Sequence, residues 1–157
     1  LETKVLKGQE RPGAISHHTS VVFDNTMYLY GGSKASGEEN KSLFSFDVQK
    51  LLGKHLTIAG EDGFIATSRD EHTACVYEGQ MWVFGGFDSG IDKTQLSLTI
   101  SMETNGQKSQ RKEKVHNKAG HSAVIEDDKM YIFGGKDEDN EKQKDLWCLD
   151  LKTLEWQ

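Results

Sequence analysis

Three stretches of this sequence repeat one pattern: HTSVVFDNTMYLYGG at residues 18–32, HTACVYEGQMWVFGG at 72–86 and HSAVIEDDKMYIFGG at 121–135. In each stretch a histidine stands 13 residues before the first glycine of a pair. The three histidines lie 54 and 49 residues apart along the chain. An internal period of about 50 residues indicates a repeat architecture, in which each unit is one supersecondary element that packs against its neighbours.

The composition of each unit predicts β-strands. Two runs rich in Val, Ile, Tyr, Phe and Trp flank a short turn, which is typical of a β-hairpin of strands A and B. The turns are predicted at Asp24-Asn25, Glu78-Gly79 and Asp127-Asp128. A third strand, C, is predicted at 42–47, at 145–150 and, without the aromatic residue and the closing aspartate, at 94–100. A fourth strand, D, is predicted near 54–58, near 112–115 and from Trp156 onward.

The paired glycines, the aromatic residues just before them and the Leu-aromatic segments that close on Asp47 and Asp150 resemble the kelch-repeat family. The histidine-containing form is most similar to the kelch proteins of the leucine-zipper-like regulator, host-cell-factor and Rab-effector groups. One departure is that Leu51 and Leu52 stand where the family has a tryptophan after Asp47, whereas Trp156 follows Asp150 as expected. The resemblance implies an all-β fold, a kelch-type β-propeller segment of about three four-stranded antiparallel blades. We expect one propeller segment over residues 1–157, with repeats at about 11–58, 65–115 and 116–157.

A four-stranded propeller blade must bury both faces against neighbouring blades. The glycine pairs end strand B, where a missing Cβ permits positive φ and close approach of a neighbour. A branched residue at Gly85 or Gly134 is therefore expected to cost several kcal/mol. The residues predicted to carry the structural motif are His18, Gly31, Gly32, His72, Gly85, Gly86, His121, Gly134 and Gly135.

Three blades are fewer than the four to eight, roughly, with which propellers close. Two interpretations remain open at this point. The chain is a segment of a longer propeller, or two copies associate into a ring of six blades. Its expected partners therefore include the remaining blades or a second copy of itself.

Net charge limits the classes of partner that we expect, and cysteine content indicates the compartment. The formal net charge of -6 gives no positive field for a phosphate backbone or an anionic membrane, so we expect neither nucleic acid nor a membrane as partner. The longest apolar runs are far shorter than the roughly 18 residues of a membrane-spanning helix. Two cysteines cannot build a disulfide framework, which favours a reducing compartment and hence a cytoplasmic location.

In an antiparallel blade the B–C and D–A loops emerge at the same end of the sheet. The B–C loops are predicted at 33–41, 87–93 and 136–144, and the D–A loops at about 7–16, 59–70 and 116–119. In the kelch proteins that this chain resembles, this rim of loops binds partner peptides. The resemblance thus predicts a protein–protein interaction module, a scaffold or adaptor. The candidate partner-binding residues are Arg11, Lys34, Arg69, Phe87, Asp88, Lys136 and Asp137.

Catalytic and metal sites are not predicted. The histidines at 18, 72 and 121 recur because the repeat recurs, and we interpret them as packing and hydrogen-bonding residues rather than metal ligands. No H-x-x-x-H or C-x-x-C ligand pattern, phosphate-binding glycine loop or nucleophile motif is found, so neither a metal nor a cofactor is expected. The alternative is that the chain belongs to a kelch-fold enzyme such as a copper oxidase or a sugar-acid epimerase, because fold alone does not decide function.

Overall fold

The architecture is three antiparallel β-sheets that follow one another along the chain. A computed structural model describes residues 10–56, 58, 68–87, 98–102, 108–110 and 118–157. The first blade comprises β1–β4, the second β5–β8 and the third β9–β11. The strands are β1 Thr19–Phe23, β2 Thr26–Tyr30, β3 Leu43–Asp47, β4 Leu52–Leu56, β5 Thr73–Tyr77, β6 Gln80–Phe84, β7 Leu98–Ser101, β8 Lys108–Gln110, β9 Ser122–Glu126, β10 Lys129–Phe133 and β11 Leu146–Asp150.

Each sheet is a meander in which consecutive strands pair antiparallel. The predicted all-β fold of kelch-type blades is confirmed. In the third blade the described strand D is reduced to a bridge between Leu149 and Trp156, flanked by a hydrogen bond of 2.8 Å from Gln157 N–H to Cys148 C=O. In the second blade strand D lies at Lys108–Gln110, earlier than the predicted 112–115, which falls outside the described residues.

The hairpin turns lie where the sequence places them. Thr19 pairs with Tyr30 and Phe23 with Thr26, which leaves Asp24 and Asn25 as the two turn residues. Both have positive φ, 44° and 57°, as the tight hairpin turn that matches strand twist requires. This local chemistry sets the register of each A–B hairpin, so the alternation of side chains between the two faces of a blade follows from it.

The hydrophobic core lies between the blades. Strand β6 is almost continuously apolar because both of its faces are covered. Met81 and Val83 face the first blade, whereas Trp82 and Phe84 face the third. A strand that is covered on both faces has no solvent side and needs no polar alternation. One core cluster joins the first and second blades, and another joins the second and third. The buried members are Tyr30, Leu43, Met81, Val83 and Met102 in the first cluster and Trp82, Phe84, Met130, Ile132, Leu149 and Leu151 in the second.

The glycine that ends strand B brings adjacent blades into close contact. A Cβ on Gly31 would lie 2.6 Å from His72 Cε1 and against the carbonyl oxygen of Arg69, both in the next blade. A Cβ on Gly85 would meet His121 and the carbonyl oxygen of Lys118, both in the third blade, in the same way. The next glycine of each pair donates its N–H to that carbonyl, at 2.9 Å from Gly32 to Arg69 and 2.8 Å from Gly86 to Lys118.

Gly134, the third equivalent, differs from the other two. A Cβ there would meet only Gln143 C=O, at 3.5 Å, among the described residues. The expected steric penalty of a larger residue therefore has a basis at Gly85 but not at Gly134. At Gly134 the φ of +69° is the source of strain that the described part of the chain provides.

The repeated histidine completes each interface between blades. His72 Nε2 lies 2.7 Å from Thr19 Oγ1 of the preceding blade, and His121 Nε2 lies 2.8 Å from Thr73 Oγ1. The imidazole rings also make edge contacts with Tyr30 and Phe84, at centroid distances of 5.6 and 5.2 Å, respectively. His72 and His121 thus pack and hydrogen-bond between adjacent blades.

Candidate protein-interaction site

The described ends of the B–C and D–A loops meet at one rim in each repeat. In every repeat the residue two positions before the histidine pairs with the residue that follows the glycine pair, through two backbone hydrogen bonds of 2.9–3.0 Å. The D–A segments are therefore held against the B–C loops by main-chain bonds. The pairs are Ser16 with Ser33, Asp70 with Phe87 and Ala119 with Lys136.

Main-chain bonds also join the rim from blade to blade. The residue just before each histidine has a left-handed φ, at 58° for His17, 55° for Glu71 and 63° for Gly120. Glu71 N–H donates to His17 C=O at 3.3 Å, and Gly120 N–H donates to Glu71 C=O at 2.8 Å. The rim is consequently a continuous scaffold, on which side chains from different blades keep fixed distances.

A cluster of Phe87, Lys136 and Glu71 lies on this rim at the junction of the second and third blades. The Lys136 ammonium is 5.2 Å from the centroid of the Phe87 ring and 2.9 Å from Glu71 Oε2. All three side chains are half-buried. The Lys136 ammonium is attracted both by the face of the Phe87 ring and by the Glu71 carboxylate. This contact orders the Phe87 ring, which remains partly open to solvent.

Two B–C loops share a compact conformation. Lys34 N–H donates to Glu38 C=O at 2.8 Å, and Asp137 N–H donates to Glu141 C=O at 3.1 Å. The Lys34 ammonium pairs with the exposed Glu38 at 2.8 Å. Asp137 is used within its own loop, because its carboxylate accepts from the N–H groups of Asp139 and Glu141. Both predicted residues therefore shape the loop that they occupy.

The other candidate residues lie in three different environments. Arg69 is buried, and its guanidinium donates to Gly85 C=O at 2.9 Å, so it supports its own blade from inside. Arg11 is exposed. Asp88 lies outside the described residues. The structure therefore brings Phe87 and Lys136 together, whereas Lys34 pairs with Glu38 and Arg69 donates to Gly85 C=O.

Sequence analysis did not single out Glu71 and Lys118. Glu71 fixes Lys136 from the neighbouring blade, and Lys118 is a buried ammonium that donates to Gly134 C=O at 3.3 Å and pairs with Asp145. A signal for Lys118 exists in the repeat, because it and Arg69 both stand three residues before their histidine. Aligning the repeats at that position predicts a shared role for the two cations.

Burial keeps the interface histidines neutral. Desolvation, followed by the nearby charge of Arg69, lowers the pKa of His72 to about 3. Desolvation and the charge of Lys118 lower the pKa of His121 to about 4. Neutral imidazoles suit their position between blades, where a charge would lack water.

Two further properties concern the described part of the chain alone. No group of three or more His, Cys, Asp or Glu residues is placed there to hold a metal ion, and Cys75 and Cys148 are both free thiols. No helix in that part is long and apolar enough to cross a membrane.

The repeat geometry agrees with a comparison to protein families. The model of the KLHDC2/KLHL20/DRC7 Kelch-repeats domain matches residues 2–157. The chain belongs to the kelch-repeat family. Kelch-repeat domains are in general protein-interaction modules.

Curated relatives match shorter parts of the chain. Kelch domain-containing protein 3 of Bos taurus is 31% identical over 75 residues, which cover 48% of this chain and 19% of that protein. The leucine-zipper-like transcriptional regulator 1 homolog of Drosophila melanogaster is 30% identical over 97 residues, covering 56% of this chain and 10% of its own length. The alignments thus span a fifth or less of these relatives.

A solved structure supports the fold over most of the chain. The structure of YjhT superposes with a TM-score of 0.73 and 18% sequence identity. The match covers 91% of this chain and 51% of YjhT. At this identity the likeness concerns the fold alone.

Proposed function

We propose that this chain binds a partner polypeptide through the rim of B–C and D–A loops and so acts as a scaffold or adaptor. The observation that carries the proposal is the cluster of Phe87, Lys136 and Glu71. An aromatic ring on a loop is ordered there by a cation, while part of its surface stays accessible. Binding energy at protein interfaces is concentrated in a few such aromatic anchors.

The order of the rim favours binding. Backbone bonds hold Phe87 to Asp70 at 2.9 and 3.0 Å, and the Lys136–Glu71 pair crosses from one blade to the next. A partner that meets a preformed surface loses less conformational entropy than one that must order a mobile loop. Charges of both signs stand along the rim, at Lys34 and Lys142 beside Glu38 and Glu141 for example. We therefore assign recognition to the aromatic anchor and its polar neighbours rather than to a single-sign field.

A peptide selection tests the proposal. Peptides would be selected against the wild-type chain from a random library displayed on phage, and their affinities measured by fluorescence polarisation for wild type, Phe87→Ala and Val48→Ala. Val48 is a matched control because it is also apolar and exposed but lies at the opposite rim. Its N–H donates to Asn25 C=O, which joins the A–B turn to the C–D turn. Phe87→Ala is expected to weaken binding by at least about ten-fold, as loss of an interface anchor does.

Glu71→Gln separates the anchor from its support. It keeps the size of the side chain but removes the charge that holds Lys136, so we expect a smaller loss than for Phe87→Ala. Val48→Ala is expected to leave binding unchanged. If the selected peptides bind Phe87→Ala as tightly as wild type, the rim cluster is not the binding site.

A further inference from the structure

A groove of about 250 Å³ lies where the first blade faces the second. Its first-blade wall is one face of β2, β3 and β4, on which Tyr28, Ser45 and Lys54 stand side by side across the three strands. Met102 borders it from the second blade, and its C=O accepts a hydrogen bond of 3.4 Å from Tyr28 O–H. We name this space the junction groove. Its lining includes Tyr28, Leu43, Ser45, Leu52, Lys54 and Met102.

The register of strand D distinguishes this junction from the next one. In the third blade Trp156 lies opposite Leu149, and its ring packs on Phe84 of the second blade at a centroid distance of 5.4 Å. In the second blade the residue at this place is Lys108, opposite Ile100. Leu149 and Ile100 are equivalent, because each pairs with the methionine that stands four residues before the first glycine of its repeat. The junction of the first two blades therefore lacks the tryptophan that the repeat places between the second and the third.

The size and the walls of the junction groove suit one aromatic side chain. Its volume is below the roughly 300–1,000 Å³ of pockets that hold drug-sized ligands, so it fits a single large side chain rather than a cofactor. Leu43 and Met102 are 2% and 9% exposed and supply apolar surface, and the Tyr28 ring lies beside them. An aromatic ring that enters here is removed from water and can also make edge contacts with Tyr28.

A cation stands at the edge of the junction groove. Lys50 pairs with Asp47 at 2.9 Å, so the charges of these two lining residues offset each other. The exposed Lys54 has no ion-pair partner within the described part of the chain. The groove consequently has a local excess of positive charge in a chain whose formal net charge is -6. A carboxylate next to the bound ring would complement this charge.

We propose that the junction groove binds a segment of a partner polypeptide in which a tryptophan is followed by an acidic residue. The indole ring takes the place that Trp156 has at the next junction, between the first-blade sheet and Met102. The carboxylate pairs with Lys54. The groove reaches the rim of A–B and C–D turns, since Thr26 and Asp47 also line it, and this rim lies opposite the Phe87 cluster. The chain thus offers a second contact to a partner, independent of that cluster.

Nuclear magnetic resonance with a short peptide tests the site. The probe is acetyl-Gly-Ser-Trp-Glu-Ser-Gly-amide, titrated into the isotope-labelled chain. It is expected to shift the amide signals of Gly53, Lys54 and Met102. Replacing the tryptophan of the peptide by alanine is expected to weaken binding by at least about ten-fold, as loss of an interface anchor does. Replacing its glutamate by lysine is expected to weaken binding by about two- to five-fold, as loss of an exposed ion pair does.

Two variants of the chain locate the contact. Ser45→Phe puts a ring into the groove and is expected to prevent binding, while Lys54→Glu is expected to reverse the preference, so that the lysine peptide binds better than the glutamate peptide. Lys144→Glu makes the same charge change at an exposed position of the third blade and is the matched control. It is expected to keep the wild-type preference, as is Phe87→Ala, which separates this site from the rim cluster.

Circular dichroism shows whether each variant is folded, and Lys54→Glu tests the site at an exposed position even if Ser45→Phe does not fold. Absence of shifts at the groove amides would overturn the proposal. Equal binding of the tryptophan peptide to wild type and to folded Ser45→Phe would do so as well. A Lys54→Glu variant that keeps the wild-type preference would show that the carboxylate is not recognised there.

Discussion

The contact between blades predicts a large difference between two alanine substitutions that share the same backbone strain. Gly85 and Gly37 have φ of +65° and +83°, so alanine costs about 1–2 kcal/mol at either from the left-handed conformation alone. Of the residues that the structure describes, none lies within 4 Å of a Cβ on Gly37. At Gly85 the Cβ would stand 2.6 Å from His121 Cε1 and against a backbone carbonyl that cannot rotate away.

Relief of that clash requires the second and third blades to separate. Overpacking of this kind costs about 1–3 kcal/mol, and stretching the 2.8 Å bond from Gly86 N–H to Lys118 C=O adds about 1 kcal/mol. Gly85→Ala is therefore expected to lower the free energy of unfolding by about 2–4 kcal/mol more than Gly37→Ala.

Urea unfolding at equal protein concentration measures this difference. Tryptophan fluorescence is a suitable signal, because Trp82, Trp147 and Trp156 all lie in the core cluster between the second and third blades. Equal losses of stability in the two variants, within about 0.5 kcal/mol, would refute the view that the glycine is required for close approach of the blades.

Two further predictions concern buried polar groups. Because the folded pKa values of His72 and His121 lie near 3 and 4, below the ordinary value near 6.5, the unfolded chain binds protons first as the pH falls, and each histidine removes about 2 kcal/mol of stability between pH 7 and pH 5. Urea unfolding across this range should show a slope that His121→Gln reduces by about half, and an unchanged slope would contradict the assignment. Asp145→Asn removes the carboxylate that pairs with buried Lys118 and is expected to cost about 2 kcal/mol, with part of the loss recovered in the double variant with Lys118→Met. Equal stability of the single and double variants would show that the loss does not come from leaving the Lys118 ammonium unpaired.

Sequence reasoning predicted the hairpins because their causes are local. Turn residues with positive φ, such as Asn25 and Glu78, and runs of β-branched and aromatic residues act within 15 positions of one another. The near-continuous apolar run of β6 has a cause that lies between blades, since this strand is covered on both faces. These local features predicted the repeat and its strands, and the resemblance to the kelch-repeat family implied the propeller architecture.

Contacts between repeats were less predictable. A charged residue in a polar loop is expected to be solvated, yet Arg69 and Lys118 are enclosed because their own carbonyl groups bind the glycine pair of the preceding blade. Asp137 was expected to face a partner, but its carboxylate accepts bonds from its own loop. Such roles depend on distances between segments that local chemistry does not determine. The pairing of Lys136 with Glu71 is of the same kind, since the two residues are 65 positions apart.

Each copy of the repeat motif therefore contributes to the interface with the preceding blade and to the interface with the following blade. The first glycine of a pair approaches the histidine of the following unit, as Gly85 approaches His121 and Gly31 approaches His72, whereas the second approaches the histidine of its own unit, as Gly86 approaches His72. The proposed binding cluster has the same character, because Phe87 and Lys136 belong to adjacent blades. The packing that stabilises the fold thus also sets the distance between the ring and its cation. A substitution that separates the blades at Gly85 should weaken partner binding even though it changes no residue on the rim.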